Sequence, residues 1–244
     1  MRIASWNVNS LRVRLHQVLE WLAQNQPDLL ALQETKLVDA DFPSAELAAA
    51  GYQSLFSGQK TYNGVANLSK VPGCDVVTDL PGLEDPQRRV LAASFGNIRL
   101  VNFYVHNGNE VGNNKYAYKL DWLHQAARFL AADTASHPLL AVAGDFNIAP
   151  EDRDVHDPIA WREKILCSTP ERQAWQKLLA LGLKDSFRLF EQPAASFSWW
   201  DYRAAGFRRN QGLRIDHILL SNALAARCTS SSIESEPLIR ISAR

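Results

Sequence analysis

Short apolar runs alternate with segments of helical periodicity along the whole chain, and this alternation restricts the possible folds more than any other feature of the sequence. Apolar runs of about four to eight residues between turn residues are typical of buried strands, whereas helices repeat apolar residues every three or four positions. The alternation predicts an α/β chain. No repeat, low-complexity tract or change in composition marks a boundary, so we predict one domain over residues 1–244.

The positions of these segments predict more strands than helices. The predicted strands are Met1 to Trp6, Asp28 to Gln33, Gly64 to Ser69, Val90 to Phe95, Ile98 to Val105, Leu139 to Ala143, Phe197 to Trp200 and Leu213 to Leu220. The predicted helices run from Leu11 to the break at Pro27, from Lys115 to Ala132 and from Thr169 to Leu181. In the last helix, Ser168 and Glu171 have the spacing of a capping box. We therefore expect two packed sheets with helices outside them.

Composition excludes several classes of protein. The 46% of apolar and 21% of charged residues are close to the average of globular domains. The 26 basic and 26 acidic residues give no net charge, which argues against gripping nucleic acid with the whole surface. The cysteines lack the spacing of a zinc site or a disulfide framework. The N-terminus lacks a secretory apolar region and no apolar run approaches the length of a membrane span, so we predict a cytoplasmic protein without membrane contact.

Polar residues that carry chemistry fall at or near the ends of predicted strands. They are Asn7, Glu34, Tyr104, Asp145, Asn147 and Asp216. Ligands of α/β sheets bind outside strand ends, so we expect these residues to share one cleft.

Each of these positions also has an ordinary structural explanation. Asn7 can ligate a cation or orient a phosphate, but a lone asparagine at a strand end is more often a turn or cap residue. Glu34 suits Mg²⁺, and an ordinary strand-end glutamate explains it equally well. Asp145 and Asn147 stand two residues apart on an extended segment, so both side chains face one side. A turn-capping aspartate is the alternative, which loses weight when the three motifs are counted together.

Six segments follow one another in order and cover the chain to about residue 228. They are Trp-Asn-Val-Asn-Ser at 6–10, Leu-Gln-Glu-Thr-Lys at 32–36, Ser-Gly-Gln-Lys-Thr-Tyr-Asn-Gly-Val-Ala at 57–66, Gly-Asp-Phe-Asn-Ile-Ala-Pro at 144–150, Phe-Ser-Trp-Trp-Asp-Tyr-Arg at 197–203 and Gly-Leu-Arg-Ile-Asp-His-Ile-Leu at 212–219. With them the chain resembles the exonuclease III family of DNA-repair nucleases, which belongs to the endonuclease/exonuclease/phosphatase superfamily together with the apurinic/apyrimidinic endonucleases. The resemblance implies a four-layered α/β sandwich of two facing mixed sheets flanked by helices. It also implies dependence on Mg²⁺ or Mn²⁺ and hydrolysis of duplex DNA at abasic sites and 3′ ends.

The resemblance assigns roles to the residues at the strand ends. The implied metal-site residues are Asn7, Glu34, Asp145 and Asn147. The implied catalytic residues are Tyr104, Asp145, Asn147 and Asp216. Tyr104 would lie near the phosphate, Asp145 would be the general acid or base, and Asn147 would stabilise the transition state or help hold the metal. These roles are consistent with in-line attack of water on phosphorus.

A tryptophan pair followed by arginines is the main candidate for DNA contact. Trp199 and Trp200 are adjacent, so in a strand they face opposite sides and at most one belongs to the core. The resemblance places them in the loop that probes the damaged nucleotide, although a tryptophan pair in isolation favours packing. Arginines follow at Arg203, Arg208, Arg209 and Arg214 with no acid between Arg203 and Arg214, and they indicate either a solvated face or a phosphate-contacting edge. Further candidates for DNA contact are Asn107, Arg89, Lys115 and Lys119.

The C-terminal sequence departs from the family pattern. The family ends with a strand preceded by Ser-Asp-His, and this chain has no histidine after His217. We expect that the last strand is missing, which leaves a sheet edge open unless Leu238 to Ile241 fills it. Loss of one positioned acid or base typically lowers the rate about 10²- to 10⁴-fold. We do not expect either His106 or His217 to replace it. His106 lies close to Tyr104 in sequence, but an ordinary hydrogen-bonded histidine explains it as well. His217 should point to the face opposite Asp216.

Three functions remain in competition. The first is a Mg²⁺-dependent DNA-repair phosphodiesterase that acts at abasic sites, nicks and 3′ ends of duplex DNA. The second is a nucleic-acid-binding protein of the same fold with little or no catalysis, because the terminal histidine is absent. The third is a phosphoesterase for a lipid or other small phosphate, against which the tryptophan and arginine segment speaks. We predict no obligate protein partner.

Overall fold

Two six-stranded sheets lie face to face in the computed structural model, which describes residues 1–201, 206–234 and 240–243. The first sheet contains, in spatial order, β13 (Ser231–Glu234), β14 (Arg240–Ala243), β1 (Ile3–Asn7), β2 (Leu29–Gln33), β4 (Val65–Ser69) and β3 (Gln53–Ser57). The second contains β5 (Gly73–Val77), β6 (Val90–Phe95), β7 (Ile98–Tyr104), β8 (Leu140–Asp145), β12 (Asp216–Ser221) and β9 (Leu183–Asp185). Each sheet is mixed, because β1 pairs with β2 and β7 with β8 in parallel, while the other neighbours are antiparallel.

Helices cover the outer faces, and a short ribbon completes the described structure. The helices are α1 (Leu11–Asn25), α2 (Ser44–Ala49), α3 (Asn114–Ser136), α4 (Thr169–Leu179) and α5 (Asn222–Ala225). The ribbon pairs β10 (Trp199–Trp200) with β11 (Gly212–Leu213). No helix among the described residues is long and apolar enough to cross a membrane.

The alternation of side chains along the strands builds the layers. In β1, Ala4 and Trp6 pack with α1, and the ring of Trp6 meets Trp21 edge-on at 6.2 Å. Ile3 faces the other way and joins residues of both sheets in the core between them. On the far side, Phe103 of β7 packs edge-on against Trp122 of α3. The order helix, sheet, sheet, helix confirms the predicted four-layered sandwich.

Buried amides also connect the two sheets. Asn102 of β7 donates from Nδ2 to Asn67 Oδ1 of β4 at 3.1 Å, and Gln33 Nε2 of β2 donates to Asn102 Oδ1 at 2.8 Å. Buried polar groups are costly unless they are hydrogen-bonded, so these contacts favour a single alignment of the sheets.

The predicted elements agree with the structure except where tertiary packing decides. The capping box of Ser168 and Glu171 is present at the start of α4. The strand predicted from Leu213 to Leu220 is interrupted, because Arg214 and Ile215 separate β11 from β12. The sequence pattern missed β5, whose half-exposed and exposed residues give no apolar run.

The end of the chain lies beside its beginning. β14 pairs antiparallel with β1, with Ala243 opposite Ile3, and also with β13. The edge of β1 is therefore covered by residues 240–243, whereas Leu238 lies outside the described residues.

Candidate active site

The strand-end residues singled out from the sequence lie in two adjoining groups. Tyr104, Asp145 and Asp216 are register neighbours across β7, β8 and β12, so they form a row at one end of the second sheet. Asn7 ends β1 in the first sheet, and Glu34 follows β2. The parallel pairing within each sheet and the facing of the sheets bring both groups together.

Asn7 connects the two groups directly. Its Nδ2 donates to Glu34 Oε1 at 2.8 Å and to Asp145 Oδ2 at 2.9 Å, while its Oδ1 accepts from the backbone N–H of Asn9 at 3.0 Å. The sequence suggested that Asn7 ligates a cation through its oxygen or orients a phosphate. In the structure the nitrogen faces the carboxylates, so Asn7 bridges and orients them.

Burial and repulsion from neighbouring carboxylates disfavour the charged forms of Asp145 and Asp216. Burial, followed by the charge of Glu34, raises the pKa of Asp145 to about 7 despite its hydrogen bonds to Asn7 and Asn147. Burial, followed by the charge of Asp145, raises the pKa of Asp216 well above its ordinary value. The pKa of the Tyr104 hydroxyl is also raised well above its ordinary value, by burial and then by Glu34 and Asp145. A cation bound among these groups would offset the repulsion between them.

The donor chemistry of the cleft fits a hard divalent cation. Its carboxylates belong to Glu34, Asp145 and Asp216, and Asp216 Oδ1 is buried without a hydrogen-bond partner among the described residues. Mg²⁺ prefers such oxygens and retains several waters. Within the described ranges, no three His, Cys, Asp or Glu side chains converge closely enough to hold one ion directly. A cation here would accordingly bind few protein atoms and keep much of its hydration shell.

Two site residues occupy the left-handed backbone region. Glu34 has a φ of 54° and Asn147 a φ of 51°. Such conformations are strained for side chains other than glycine and persist where the surroundings enforce them. Lys36 contributes to holding Glu34, because its Nζ lies 3.0 Å from Glu34 Oε2. Sequence reasoning assigned Lys36 no role, although a cation two residues after a candidate ligand was a usable signal.

Asn147 is held from several sides. Its backbone N–H donates to Asp145 Oδ1 at 2.8 Å, and its Nδ2 donates to the carbonyl of Val105 at 2.9 Å. Its Oδ1 accepts from Nδ2 of the exposed Asn107 at 3.1 Å. Asn107 therefore belongs to the immediate surroundings of the site.

Asp216 is supported by a serine that sequence reasoning did not single out. Ser198 Oγ donates to Asp216 Oδ2 at 2.7 Å and accepts from the backbone N–H of Asp216 at 3.0 Å. His217 points to the other face, as predicted, with Nε2 2.9 Å from the carbonyl of Ile148. His106 accepts at Nδ1 from the N–H of Gly108, and burial lowers its pKa to about 4. Neither imidazole is among the hydrogen-bond partners of Asp216.

Comparison with known proteins identifies the family of this chain. The model of the Endonuclease/Exonuclease/phosphatase family matches residues 4–242. The chain belongs to this family. It is 37% identical to exodeoxyribonuclease III of Haemophilus influenzae over 247 aligned positions. The alignment covers 96% of this chain and 92% of that protein.

Solved structures of similar proteins have the same fold. A 3′ phosphatase, NExo, from Neisseria, bound to a product DNA hairpin, is 45% identical with a TM-score of 0.98, over 100% of this chain and 98% of that one. An AP endonuclease from Archaeoglobus fulgidus is 34% identical with a TM-score of 0.96, with the same two coverages. The resemblance to the exonuclease III family and the prediction of an enzyme of the exodeoxyribonuclease III and AP-endonuclease type are confirmed.

The two tryptophans of this family member differ in their surroundings. Trp200 is buried, donates from Nε1 to Asn210 Oδ1 at 3.1 Å and meets Phe207 edge-on at 5.1 Å. Trp199 is half-buried beside the cluster that contains Val155 and Leu213. Trp199 is thus the more exposed of the two.

Three cations predicted at the DNA surface are buried in the protein. Arg89 lies 4.7 Å over the ring of Tyr104 and donates to its carbonyl, so it orients the tyrosine. Arg214 is enclosed by Asp154 and Asp185. The Lys119 side chain is 0% exposed and forms an ion pair with Glu171. These three side chains therefore do not lie on the surface, where the prediction had placed them. Acids distant in sequence enclose Arg214 and Lys119, whereas Arg89 is held by the Gln87 side chain and the Tyr104 carbonyl.

For the other cations, contact with DNA stays a prediction. Arg208, Arg209 and Lys115 are exposed. Arg203 lies outside the described residues.

Proposed function

We propose that this chain is a divalent-metal-dependent DNA-repair phosphodiesterase, which cleaves duplex DNA beside abasic sites and removes nucleotides or blocking groups from 3′ ends. The observation that carries the proposal is the meeting of Glu34, Asp145 and Asp216 in one cleft, where Asn7 bridges the first two across the sheets. The names of the similar exodeoxyribonuclease, 3′ phosphatase and AP endonuclease support it.

The loops around the cleft support duplex DNA as the substrate. Four segments next to the strands of the site lie outside helices and sheet strands for most of their length, at 58–64, 105–113, 146–168 and, in the described part of the chain, 206–211, and we call them the rim loops. Each carries an exposed large apolar side chain: Tyr62, Val111, Ile159 and Phe207, respectively. Exposed cations lie in these loops or just after them, at Lys60, Lys115, Arg162, Lys164, Arg208 and Arg209. Cations bind the phosphate backbone, and apolar side chains fit beside unstacked bases. A small phosphoester needs no such surface, which disfavours the third function.

Mg²⁺ is the cation we propose, with Mn²⁺ as an alternative. Glu34 would hold it, aided by Asp145 and by Asn7 as the group that orients both carboxylates. When bound, the cation would neutralise charge on the phosphate oxygens.

The chain's own residues supply the proton transfer and the hydrogen bonds. Asp145, with a pKa near neutrality, is suited to accept a proton from the attacking water. Its two oxygens are fixed by Asn7 and by the backbone of Asn147, which sets the direction of the remaining lone pairs. Tyr104 keeps its proton because its pKa is raised, so it can donate to a phosphate oxygen whose charge grows.

The second candidate function, DNA binding with slow or no cleavage, is favoured by one observation. Asp216 Oδ1 is buried and has no hydrogen-bond partner in residues 1–201, 206–234 and 240–243. An aspartate that orients no base contributes less to proton transfer, so we expect a slower enzyme than a relative with the terminal histidine.

The experiment that separates these functions uses a duplex oligonucleotide with one abasic site. Cleavage is followed with Mg²⁺ and with EDTA, and binding is measured on filters. Cutting that requires Mg²⁺ supports the proposal, tight binding without cutting supports the second function, and the absence of both overturns both.

Asp145→Asn is the matched variant for this assay. The amide has the same size but cannot accept the proton, so we expect cleavage to be abolished while DNA affinity stays within about threefold. A variant that cuts as fast as the parent chain would remove Asp145 from the active site.

A further inference from the structure

Lys119 occupies a fully enclosed position behind the cleft. Its ammonium has three N–H bonds and three protein acceptors. These are the carbonyl of Asn147 at 2.7 Å, the carbonyl of Asn107 at 3.2 Å and the carboxylate of Glu171. Both carbonyls belong to residues whose side chains are hydrogen-bonded to each other beside the site. The lysine thus contacts the backbone of the two asparagines at the cleft.

The loops pack closely on the lysine stem. Gly108 has a φ of +92°, and a Cβ built there would lie 3.2 Å from Lys119 Cδ and 2.8 Å from Ile165 Cδ1. Of the two carbonyls that Lys119 binds, that of Asn147 is closer, and Asn147 is the residue with the strained φ of 51°. A hydrogen bond from a charged donor is stronger than one between neutral groups. The bond from Lys119 can therefore help to hold Asn147 in its strained conformation.

Glu171 extends the connection to a third segment. Its carboxylate accepts from the backbone N–H groups of Leu166 and Ser168, both at 3.1 Å, and from Ser168 Oγ at 2.6 Å. One ion pair therefore joins the loop after β7, the loop after β8 and the beginning of α4.

We propose that Lys119 is a positioning residue, which sets the side chains of Asn147 and Asn107 over the scissile phosphate by holding their carbonyls. This inference rests on the proposed function, which makes Asn147 part of the active site. A buried ion pair by itself is weak evidence of stabilisation, because apolar residues of similar size often replace such a pair without loss. An apolar side chain cannot donate to two carbonyls, so the positioning effect is separable from stability.

The test replaces both partners, Lys119→Met with Glu171→Gln, so that no unpaired charge is left inside. We expect kcat to fall between about 10-fold and 100-fold, as for other small displacements of reacting groups. We expect KM and the dissociation constant for duplex DNA in EDTA to stay within about twofold. A merely structural role would instead move kcat only in proportion to the folded fraction, and cooling would restore it.

The matched control is a second buried ion pair of α3, near the opposite end of that helix. Arg99, at the start of β7, lies 3.0 Å from Asp133, near the end of α3. Arg99 and Tyr104 are five residues apart, or roughly 17 Å along the strand. Arg99→Met with Asp133→Asn should lower thermal stability and leave kcat unchanged.

A readout independent of activity keeps the inference testable if the parent chain does not cut DNA. In ¹⁵N-labelled protein, the side-chain amide resonances of Asn107 and Asn147 should shift in the Lys119→Met/Glu171→Gln variant and stay in place in the control. Resonances that coincide with those of the parent, or a folded variant with the parental kcat, overturn the positioning role. An inactive parent whose resonances shift as expected overturns the proposed function alone.

Discussion

At the scale of single residues, the amide of Asn7 holds together a site made from two sheets. Two carboxylates approach one side-chain nitrogen, and no described lysine or arginine neutralises Asp145 by an ion pair. In our proposal the charge of the cleft is therefore balanced partly by hydrogen bonds and partly by a cation. A substitution that removes the hydrogen bonds and adds charge separates these two contributions.

Asn7→Asp is that substitution. The aspartate has the same shape, removes both N–H donors and adds a negative charge, so we expect a lower melting temperature without divalent cation. Mg²⁺ should raise the melting temperature of the variant more than that of the parent, because ligand binding to the native state stabilises it. Thermal unfolding with and without Mg²⁺ measures both effects. Equal shifts in the two proteins would contradict a cation beside Asn7.

The tryptophan pair offers a second contrast at this scale. Trp200→Ala empties a buried position and should lower the free energy of unfolding by about 3–5 kcal/mol. Trp199→Ala removes a half-buried ring, so it should lower stability less than Trp200→Ala does, and it should weaken DNA binding by about 1–3 kcal/mol, the usual value of one base stacked on an aromatic ring. Urea denaturation and filter binding distinguish the two variants. The reverse pattern would show that Trp200 is the one that contacts DNA.

At the scale of elements, our proposal assigns the chemistry to strands and the contact with DNA to loops. Tyr104, Asp145 and Asp216 are fixed by strand register, which leaves them little freedom. The rim loops instead expose apolar side chains that a stable fold has no reason to leave in water. Ile159 is the extreme case, with 90% of its surface exposed.

Ile159→Ser tests this division. Burial of an isoleucine by DNA contributes about 1.5–3 kcal/mol, so duplex affinity should fall about tenfold or more. The melting temperature should not change, because the side chain contacts little of the protein. Val13 is 74% exposed on α1 and is the control, since Val13→Ser should alter neither quantity. Equal affinities of the Ile159 variant and the parent would remove this loop from the DNA surface.

The sequence predicted those parts of the site that depend on a residue's own strand. Asn7, Glu34 and Asp145 were found because a polar residue directly after an apolar run marks a strand end. Lys119 was misplaced because its enclosure depends on Glu171, which arrives 52 residues later on another helix. Burial of a charge is a property of two elements together, and no single segment reveals it.

The same limit applies to the fold. Strands with apolar runs, such as β6 (Val90–Phe95), were predicted to the residue. Short or polar strands, such as β5 and β13, were missed, because their place in the sheet comes from pairing with a neighbour.

At the scale of the whole molecule, the neutral total charge hides opposite regions. From residue 203 to the end, seven arginines stand against three acids, whereas from 145 to 163 six acids stand against two arginines. Asp145 of the acidic region lies in the cleft, and Arg208 and Arg209 of the basic region are exposed. In our proposal the first would lie beside a cation and the other two beside the phosphate backbone. Binding should then depend on salt although the protein is neutral overall.

The salt dependence of DNA binding measures how many cations take part. Replacing Arg208 and Arg209 by Gln should lower the slope of log affinity against log salt by about 0.9 for each phosphate that the protein no longer neutralises. Arg128→Gln, an exposed change on the distant half of α3, should leave the slope unchanged. A parental slope in the Arg208 and Arg209 variant would mean that the basic edge does not touch DNA.

The pairing of β14 with β1 separates the residues that carry chemistry from those that complete the first sheet. The second sheet uses residues 73–221. The first sheet begins with residue 3 but gains its last two strands only from residues 231–243. Every candidate catalytic group, from Asn7 to Asp216, precedes those two strands in the chain. A proteolytic cut between residues 221 and 231 would therefore remove no candidate catalytic group, yet loss of the segment after the cut would expose the flank of β1 that β14 covers.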